Sequence, residues 1–226
     1  MWGQMDPVRE IIKKIIVNIF GRYISEREYR KFENNVVSFD VFDTLIFRKC
    51  GKPVAIFEII ENEHEIKGFA DIRIGCEKEA REHKKTEVTF DEIYDRMGRE
   101  FGDVAALEIK RFETETELAQ CKPNAETVAL YNYLINRNTR VFLISDMYLP
   151  ATVIAEMLKK CGIEGYEKLY VSSEYGSTKR NGGLFEKVIT ENRIDRKRMI
   201  HIGDHPLADW LIPMRKCGIK AFLYRV

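Results

Sequence analysis

The feature that most constrains this sequence is an apolar run ending in an acid, and it occurs twice. Residues 36–39 lead directly into Asp40, and residues 199–203 lead into Asp204 far downstream. A buried parallel strand has this pattern when it delivers an acid to the carboxyl edge of a sheet. We therefore predict that both acids lie at one edge of a parallel sheet.

Strand-like and helix-like segments alternate from residue 122 to the end of the chain. Apolar runs predict strands at 140–144, 169–171, 199–202 and 221–224, in addition to the strand before Asp40. Between them we predict helices at 124–136, 150–162, 184–190 and 206–216, the last one kinked at Pro213. Five strands joined by helical crossovers predict an α/β fold, a doubly wound parallel sheet of the Rossmann-like type.

The segment between residues 52 and 118 has a different pattern. It shows little strand-like alternation and contains helical runs at 54–61, 72–84, 89–101 and 104–117, with Thr89 and Glu92 spaced as a capping box. We interpret 52–118 as an all-helical insertion. The predicted organisation is an N-terminal amphipathic helix at 1–30, an α/β core at 31–51 and 119–226, and the insertion between its two parts.

The N-terminal segment from Asp6 to Ile24 has apolar residues at helical spacing and Pro7 at a suitable first turn. We expect this helix to pack on its own domain or on a dimer mate, or to dock another partner. Its basic polar face leaves a helix lying on a membrane surface as the alternative.

Charge and cysteine content exclude several classes of protein. The 226 residues include 37 basic and 36 acidic side chains, so a nucleic-acid partner is not expected. The five cysteines have no CxxC spacing, which argues against a zinc site or a disulfide framework. No apolar run approaches the ~20 residues of a membrane span. We therefore expect a soluble, cytoplasmic protein.

Several polar residues follow the predicted strands and should converge on one crevice. Asp40, Ser145 and Asp204 end three strands, and Lys179 follows a fourth strand and precedes a helix. Two adjacent carboxylates repel each other unless a cation lies between them, and Mg²⁺ is the simplest such cation. Lys179 and the Ser145 hydroxyl could then hold the oxygens of a phosphoryl-like group, with Lys179 neutralising a nucleophilic Asp40.

In order and spacing, these segments resemble the four motifs of the haloacid dehalogenase superfamily, most of whose members are Mg²⁺-dependent phosphatases. The matching residues are Asp40, Thr44 and Leu45, then Ser145, then Lys179 and Phe185, and finally Gly203, Asp204 and Asp209. The resemblance covers the core from about Val36 to Tyr224. The strings beginning at Ser145 and at Ser172 also resemble a subgroup of hydrolases that we associate with bacterial surface-polysaccharide clusters.

The resemblance implies roles for individual residues. Asp40 would be the nucleophile and a metal ligand, with the backbone carbonyl of Phe42 and the Asp204 carboxylate as further ligands. Asp209 would complete or support the metal site. Thr44 is expected to contact substrate, and Asp146 either does so or caps the following helix. The insertion would correspond to a cap that closes over a small phosphorylated substrate such as a sugar phosphate.

One residue departs from the phosphatase pattern. The acid that usually stands two positions after the nucleophile, where it protonates the leaving group, is Phe42 here, and Asp43 is one position further on. Because adjacent side chains of an extended segment point in opposite directions, Asp43 could face away from the crevice. The alternative to a phosphatase with a phospho-Asp40 intermediate is therefore a phosphate-binding or regulatory module with weakened turnover. A carbon–halogen hydrolase is a third, less favoured option.

Overall fold

Five parallel strands form the central sheet of the computed structural model, which describes residues 7–82, 84 and 86–225. The strand order is β5-β4-β1-β6-β7, and this confirms the predicted α/β class. The bounds are β1 (Val36–Phe39), β4 (Val141–Ser145), β5 (Lys168–Val171), β6 (Met199–Gly203) and β7 (Lys220–Leu223).

The central strands are mostly apolar because helices cover both faces of the sheet; their buried polar residues are Ser38, Ser145 and His201. In β4, Val141 and Leu143 pack into one apolar cluster, while Phe142 and Ile144 pack into a second cluster. The first cluster includes residues of α6 (Ala125–Ile135) and α7 (Ala151–Lys160). The second is built largely from α9 (Gly183–Glu191), which follows the short α8 (Ser172–Tyr175).

The register of the sheet places the ends of β1 and β6 side by side. Phe39 pairs with Ile202 of β6 and with Leu143 of β4. The amide of Asp40 then donates to the carbonyl of Ile202 at 2.9 Å, which continues the ladder for one further hydrogen bond. The residues that follow β1, β4 and β6 therefore meet at the carboxyl edge of the sheet.

Two short strands that the sequence did not reveal stand between the core and the inserted helices. β2 (Ile46–Arg48) and β3 (Cys121–Pro123) form an antiparallel pair outside the central sheet. Each is only three residues long, so the pattern of apolar alternation that predicts a strand cannot develop. The pair brings the two ends of the intervening segment together.

Within the described residues between β2 and β3 there are four helices: α2 (Val54–Glu63), α3 (Phe69–Glu82), α4 (Phe90–Phe101) and α5 (Asp103–Gln120). The capping box predicted at Thr89 and Glu92 is confirmed, with both reciprocal hydrogen bonds present. Arg73 of α3 is fully buried and forms a two-bond ion pair with Glu113 of α5. That these helices form a separate domain with bounds at 52 and 118 stays a prediction.

The N-terminal helix α1 (Pro7–Phe20) ends four residues before the predicted Ile24, and its predicted start at Asp6 lies outside the described residues. Its apolar stripe is largely exposed, although Phe20 stacks on Trp210. The exposed members, with exposed fractions between 49% and 66%, are Val8, Ile11, Ile12, Ile15, Ile19 and Phe20. Packing of this helix on its own domain or on a dimer mate therefore stays a prediction.

The last predicted helix is present in a different form. A π-helix spans Pro206–Leu211 and α10 spans Ile212–Arg215, so the change in helix type falls just before Pro213. A proline has no amide hydrogen to continue the helical ladder, which explains a break at this point. Among the described residues, no helix has both the length and the apolar character required to cross a membrane.

Candidate functional site

Three buried aspartates meet at the carboxyl edge of the sheet. Asp40 follows β1, Asp204 follows β6, and Asp209 lies in the π-helix one turn beyond. One carboxylate oxygen from each lies within 4.8 Å of the others. The chain thus brings together acids that are 164 residues apart in sequence, as the two acid-tipped strands predict.

Gly203 makes this close approach possible. A Cβ atom at this position would lie 2.5 Å from Cγ and 2.7 Å from Oδ2 of Asp209, well inside van der Waals contact. Oδ2 of Asp209 accepts from the amide of His205 at 2.9 Å. Its Oδ1 lies 3.1 Å from Nε2 of His201 and 2.7 Å from Nζ of Lys179. Because both oxygens are already engaged, Asp209 is better suited to support a metal site than to be a main ligand.

Lys179 is the buried cation of the cluster. Its amino group donates to Oδ1 of Asp40 and also contacts Asp209, and only 3% of the residue is exposed. Although burial opposes it, the charges of Asp209 and Asp40 hold the pKa of Lys179 above its ordinary value. Lys179 is therefore charged at any physiological pH.

Asp146 holds the loop that carries Lys179. Its Oδ1 accepts from the backbone amide of Lys179 at 2.7 Å, and its Oδ2 accepts from the amide of Arg180 at 3.4 Å. It does not cap the helix that follows it, which was one of the two predicted roles. Because its oxygens bind this loop, Asp146 acts on the site by positioning Lys179.

Two hydroxyl groups complete the polar lining. Thr44 donates over long distances of 3.4 Å to Oδ2 of Asp40 and 3.5 Å to Oδ1 of Asp204. Ser145, at the end of β4, is 1% exposed, and its hydroxyl makes no hydrogen bond within the described part of the chain. A buried hydroxyl normally has a partner. Ser145 is therefore free to donate to a ligand in the crevice.

Phe42 and Asp43 occupy the turn after Asp40. The Phe42 ring is buried beneath the guanidinium group of Arg48, at 4.5 Å from its centroid, and Arg48 is held by Glu117 of α5. The two turn amides of Leu45 and Ile46 both donate to Val41, so they do not use the Phe42 carbonyl. This leaves that carbonyl compatible with the predicted metal ligation.

Asp43 is closer to the site than the extended-segment argument suggested. Its φ of 58° is in the left-handed region, so the alternation of an extended strand does not apply to it. Its charge contributes to raising the pKa of both Asp204 and Lys13. The expectation that Asp43 faces away from the site stays a prediction.

Burial and neighbouring charges shift the pKa values of the three acids of the site. Burial raises the pKa of Asp40 well above its ordinary value; Lys179 lowers it, whereas Asp209 and Asp204 raise it further. Burial likewise raises the pKa of Asp204 to about 6, against the effect of Lys13. The pKa of Asp209 is instead held well below its usual range, because Lys179 and His201 outweigh its burial.

The donor set fits a hard divalent cation. Carboxylate oxygens are the ligands that Mg²⁺ prefers in proteins, and Asp40 and Asp204 present them on one side of the crevice. Asp40 and Asp209 share the buried Lys179, and Asp204 contacts Lys13, so three buried carboxylates face two lysines and a further positive charge would stabilise their ionised forms. Asp40, Asp204 and the Phe42 carbonyl are the groups that would hold it.

Sequence reasoning missed Lys13 as a residue of the site. Its Nζ lies 2.6 Å from Oδ2 of Asp204, although the two residues are 191 positions apart. Although burial opposes it, Asp204 holds the pKa of Lys13 above its ordinary value. A lysine on an amphipathic helix gives no sequence signal for such a contact, because nothing in the pattern fixes where the helix lies.

The two histidines near β6 have structural positions. His201 is fully buried between Ser38 and Asp209, and burial lowers its pKa, so it is a histidine of the core. His205 accepts from the amides of Leu207 and Ala208 through Nδ1, and burial lowers its pKa to about 4. It therefore caps the π-helix in its neutral form.

Comparison of the sequence with protein-family models and with curated proteins gives no match. Solved structures do match. A HAD family enzyme from Bacteroides thetaiotaomicron has 16% identity and a TM-score of 0.59, over 84% of this chain and 92% of that one. A 2-haloacid dehalogenase from Pseudomonas syringae has 16% identity and a TM-score of 0.58, over 84% and 86%.

A HAD hydrolase from Bacillus subtilis, in a structure with magnesium bound, matches with 14% identity and a TM-score of 0.58, over 83% of this chain and 87% of that one. The chain therefore has the haloacid dehalogenase-like fold that its four sequence motifs predict. The likeness to a polysaccharide-cluster subgroup stays a prediction.

Proposed function

We propose that this chain, which has the haloacid dehalogenase-like fold, is a Mg²⁺-dependent hydrolase of a small phosphorylated metabolite. The observation that carries the proposal is the cluster of the buried carboxylates of Asp40, Asp204 and Asp209, whose oxygens lie within 4.8 Å of one another. Asp40 and Asp209 share the amino group of Lys179, and Asp204 contacts Lys13. Ion pairing alone does not require three buried carboxylates to converge, whereas a site for a divalent cation does.

In the proposed reaction Asp40 is the nucleophile. Lys179 donates to Oδ1 of Asp40, while Oδ2 receives only the long contact from Thr44, so Oδ2 is the oxygen available for attack. Its attack on phosphorus forms phospho-Asp40 and breaks the bond to the leaving oxygen. Water then cleaves the phospho-aspartate, which releases phosphate and restores the carboxylate.

The remaining residues hold the phosphoryl group. In this proposal Lys179 and the hydroxyl of Ser145 donate to its oxygens, and the contact of Asp146 with the amide of Lys179 supports the position of that lysine. When bound, Mg²⁺ would supply positive charge that offsets the charge of the phosphoryl oxygens. The helices α2 to α5 are the proposed cap, and a sugar phosphate is the substrate class that we favour.

The identity of Phe42 limits which leaving groups react well. A positioned acid contributes roughly 10²- to 10⁴-fold to proton transfer, and Phe42 provides none. The leaving group of an aryl phosphate is a weakly basic phenolate that needs little protonation. The leaving group of an alkyl phosphate is a strongly basic alkoxide that must be protonated as it departs. We therefore expect rapid turnover of aryl phosphates relative to alkyl phosphates.

The test compares hydrolysis of an aryl and an alkyl phosphate, with and without Mg²⁺, by the wild type and by Asp40→Asn. We expect Mg²⁺-dependent aryl turnover that Asp40→Asn reduces to background. The variant keeps the size of the side chain, and its folding is checked by thermal melting. The absence of Asp40-dependent turnover of any phosphate, from a protein that folds normally, would refute the proposal.

The second candidate is a phosphate-binding or regulatory module with weakened turnover. Phe42 favours this candidate. The position of the usual acid holds a buried aromatic ring that lies beneath Arg48 and has no proton to donate. For this candidate Mg²⁺ and phosphate raise the melting temperature while turnover stays at background. A third option is hydrolysis of a carbon–halogen bond, because the structural matches include a 2-haloacid dehalogenase. Release of halide from a 2-haloacid would test it.

Two further expectations stay predictions. The five cysteines are free thiols, which fits a reducing compartment, and we expect the protein to be cytoplasmic. Docking of a dimer mate or another partner through α1 is the remaining expectation. The exposed apolar stripe of that helix supports it.

A further inference from the structure

The N-terminal helix α1 is tethered to the core at one end. Arg22, just beyond the helix, donates its amide to Leu223 of β7 at 3.0 Å and accepts from the amide of Arg225 at 3.0 Å. Phe20, the last residue of α1, stacks on Trp210 of the π-helix with 5.3 Å between ring centroids. These contacts fix the C-terminal end of α1 next to the residues that carry Asp209.

Further along α1, apolar packing contributes little. Ile11, Ile12 and Ile15 are about half exposed, with exposed fractions of 57%, 49% and 51%. A helix normally gains most of its stability by burying this face. Ile16 and Val17 are only partly buried, so the polar contact of Lys13 with Asp204 contributes strongly to the position of the middle of α1.

Lys13 places its charge on an acid of the proposed metal site. Its Nζ lies 2.6 Å from Oδ2 of Asp204, and the two side chains are 28% and 7% exposed. A divalent cation that binds Asp204 would sit next to this ammonium group. Two like charges that contact the same carboxylate repel each other strongly in a partly desolvated site. Binding of the divalent cation to Asp204 therefore weakens the contact of Lys13 with Asp204, and the contact weakens cation binding.

We propose that Lys13 competes with the divalent cation for Asp204, and that α1 is an autoinhibitory segment whose displacement loads the site. The inference rests on the proposed function, because it requires the Mg²⁺ site at Asp40 and Asp204. It extends that function by linking metal loading to the position of a helix outside the α/β core. Thermodynamic reciprocity requires that Mg²⁺ weakens the docking of α1 as much as docking weakens Mg²⁺ binding.

The first test measures Mg²⁺ binding by calorimetry in the full-length wild type and three variants. Lys13→Gln removes the competing charge and should lower the Mg²⁺ dissociation constant about tenfold, equivalent to ~1.4 kcal/mol. Lys13→Arg keeps the charge and should bind Mg²⁺ as the wild type does. Lys14→Gln is the matched control, because Lys14 is an exposed neighbour on the same helix, and it should have less than a twofold effect.

The outcomes separate this inference from the proposed function. If Lys13→Gln binds Mg²⁺ no more tightly than the wild type, or more weakly, the competition is refuted and the metal site stands. If neither the wild type nor any variant binds Mg²⁺ at millimolar concentration, the proposed function is refuted and the inference falls with it.

The second test follows α1 through Trp210 fluorescence. Trp2, which lies outside the described residues, is replaced by Phe so that Trp210 is the single tryptophan. Mg²⁺ should shift the Trp210 emission with the same midpoint as in calorimetry, and Phe20→Ala should give the shifted emission without Mg²⁺. Binding of Mg²⁺ that leaves the emission of Trp210 unchanged would overturn the autoinhibitory role of α1.

Discussion

Replacement of Lys179 by Met tests how much of the stability of the core depends on charge balance at the site. The variant keeps an apolar stem of similar length, so it mainly removes the ammonium group. Asp40 and Asp209, which are 7% and 0% exposed, then lose the charge that both of them contact. Removing one partner of a buried ion pair typically costs about 3–5 kcal/mol.

For a chain of 226 residues, each 1 kcal/mol corresponds to a shift of about 2–4 °C in melting temperature. We therefore expect metal-free Lys179→Met to unfold about 6–20 °C below the wild type. The free energy of unfolding is measured by urea denaturation without Mg²⁺ and again at saturating Mg²⁺. Lys197→Met, at an exposed lysine, is the control and should change stability by less than about 0.5 kcal/mol.

Mg²⁺ should reduce the difference in the free energy of unfolding between Lys179→Met and the wild type. A ligand at one hundred times its dissociation constant stabilises the folded state by about 2.7 kcal/mol. In the variant the cation also neutralises carboxylates that have lost their lysine, so we expect a larger gain than in the wild type. A metal-free loss below about 1 kcal/mol, or an equal gain in both proteins, would refute the reasoning that the three acids share one charge balance.

Three further substitutions probe other parts of the structure. Gly203→Ala should push Asp209 aside, lower stability by about 1–3 kcal/mol and weaken Mg²⁺ binding, measured by denaturation and calorimetry; normal values would contradict the packing argument. Thr89→Ala should cost about 1 kcal/mol through loss of the helix cap, and Thr89→Ser should restore it. Glu113→Ala removes two of the three ion-pair hydrogen bonds of the buried Arg73 and leaves only the one to Glu77, so it should cost about 3–5 kcal/mol by urea denaturation, whereas a loss near 0.5 kcal/mol would show that Glu77 alone compensates the charge of Arg73.

The elements that the sequence predicts well are the strands, because a continuous apolar run indicates directly which residues are buried. The strands β1, β4 and β6 are predominantly apolar, with Ser38, Ser145 and His201 as their buried polar residues, and both ends of each run are marked by polar residues or turns. Parallel strands require crossovers of one hand, so the pattern also restricts their order in the sheet. The meeting of Asp40, Asp204 and Asp209 at one edge follows from that restriction.

Elements that depend on neighbours from distant parts of the chain were missed or misread. The strands β2 and β3 form only because the two ends of the inserted segment meet. The fully buried ion pair of Arg73 and Glu113 resembles, in sequence, the charged surface of an exposed helix. Charge at helical spacing does not reveal which pairs become buried, because burial depends on the partner helix.

By itself the sequence determined the α/β core, its five strands and the edge at which the acids of the candidate site gather. The tertiary structure alone decided that Asp146 holds the Lys179 loop, that the apolar face of α1 is exposed and that Lys13 contacts Asp204. The physical reason is that strand burial and crossover direction are local properties of a chain. The contacts of a surface helix and of a loop carboxylate are chosen instead by the three-dimensional neighbours that the fold brings to them.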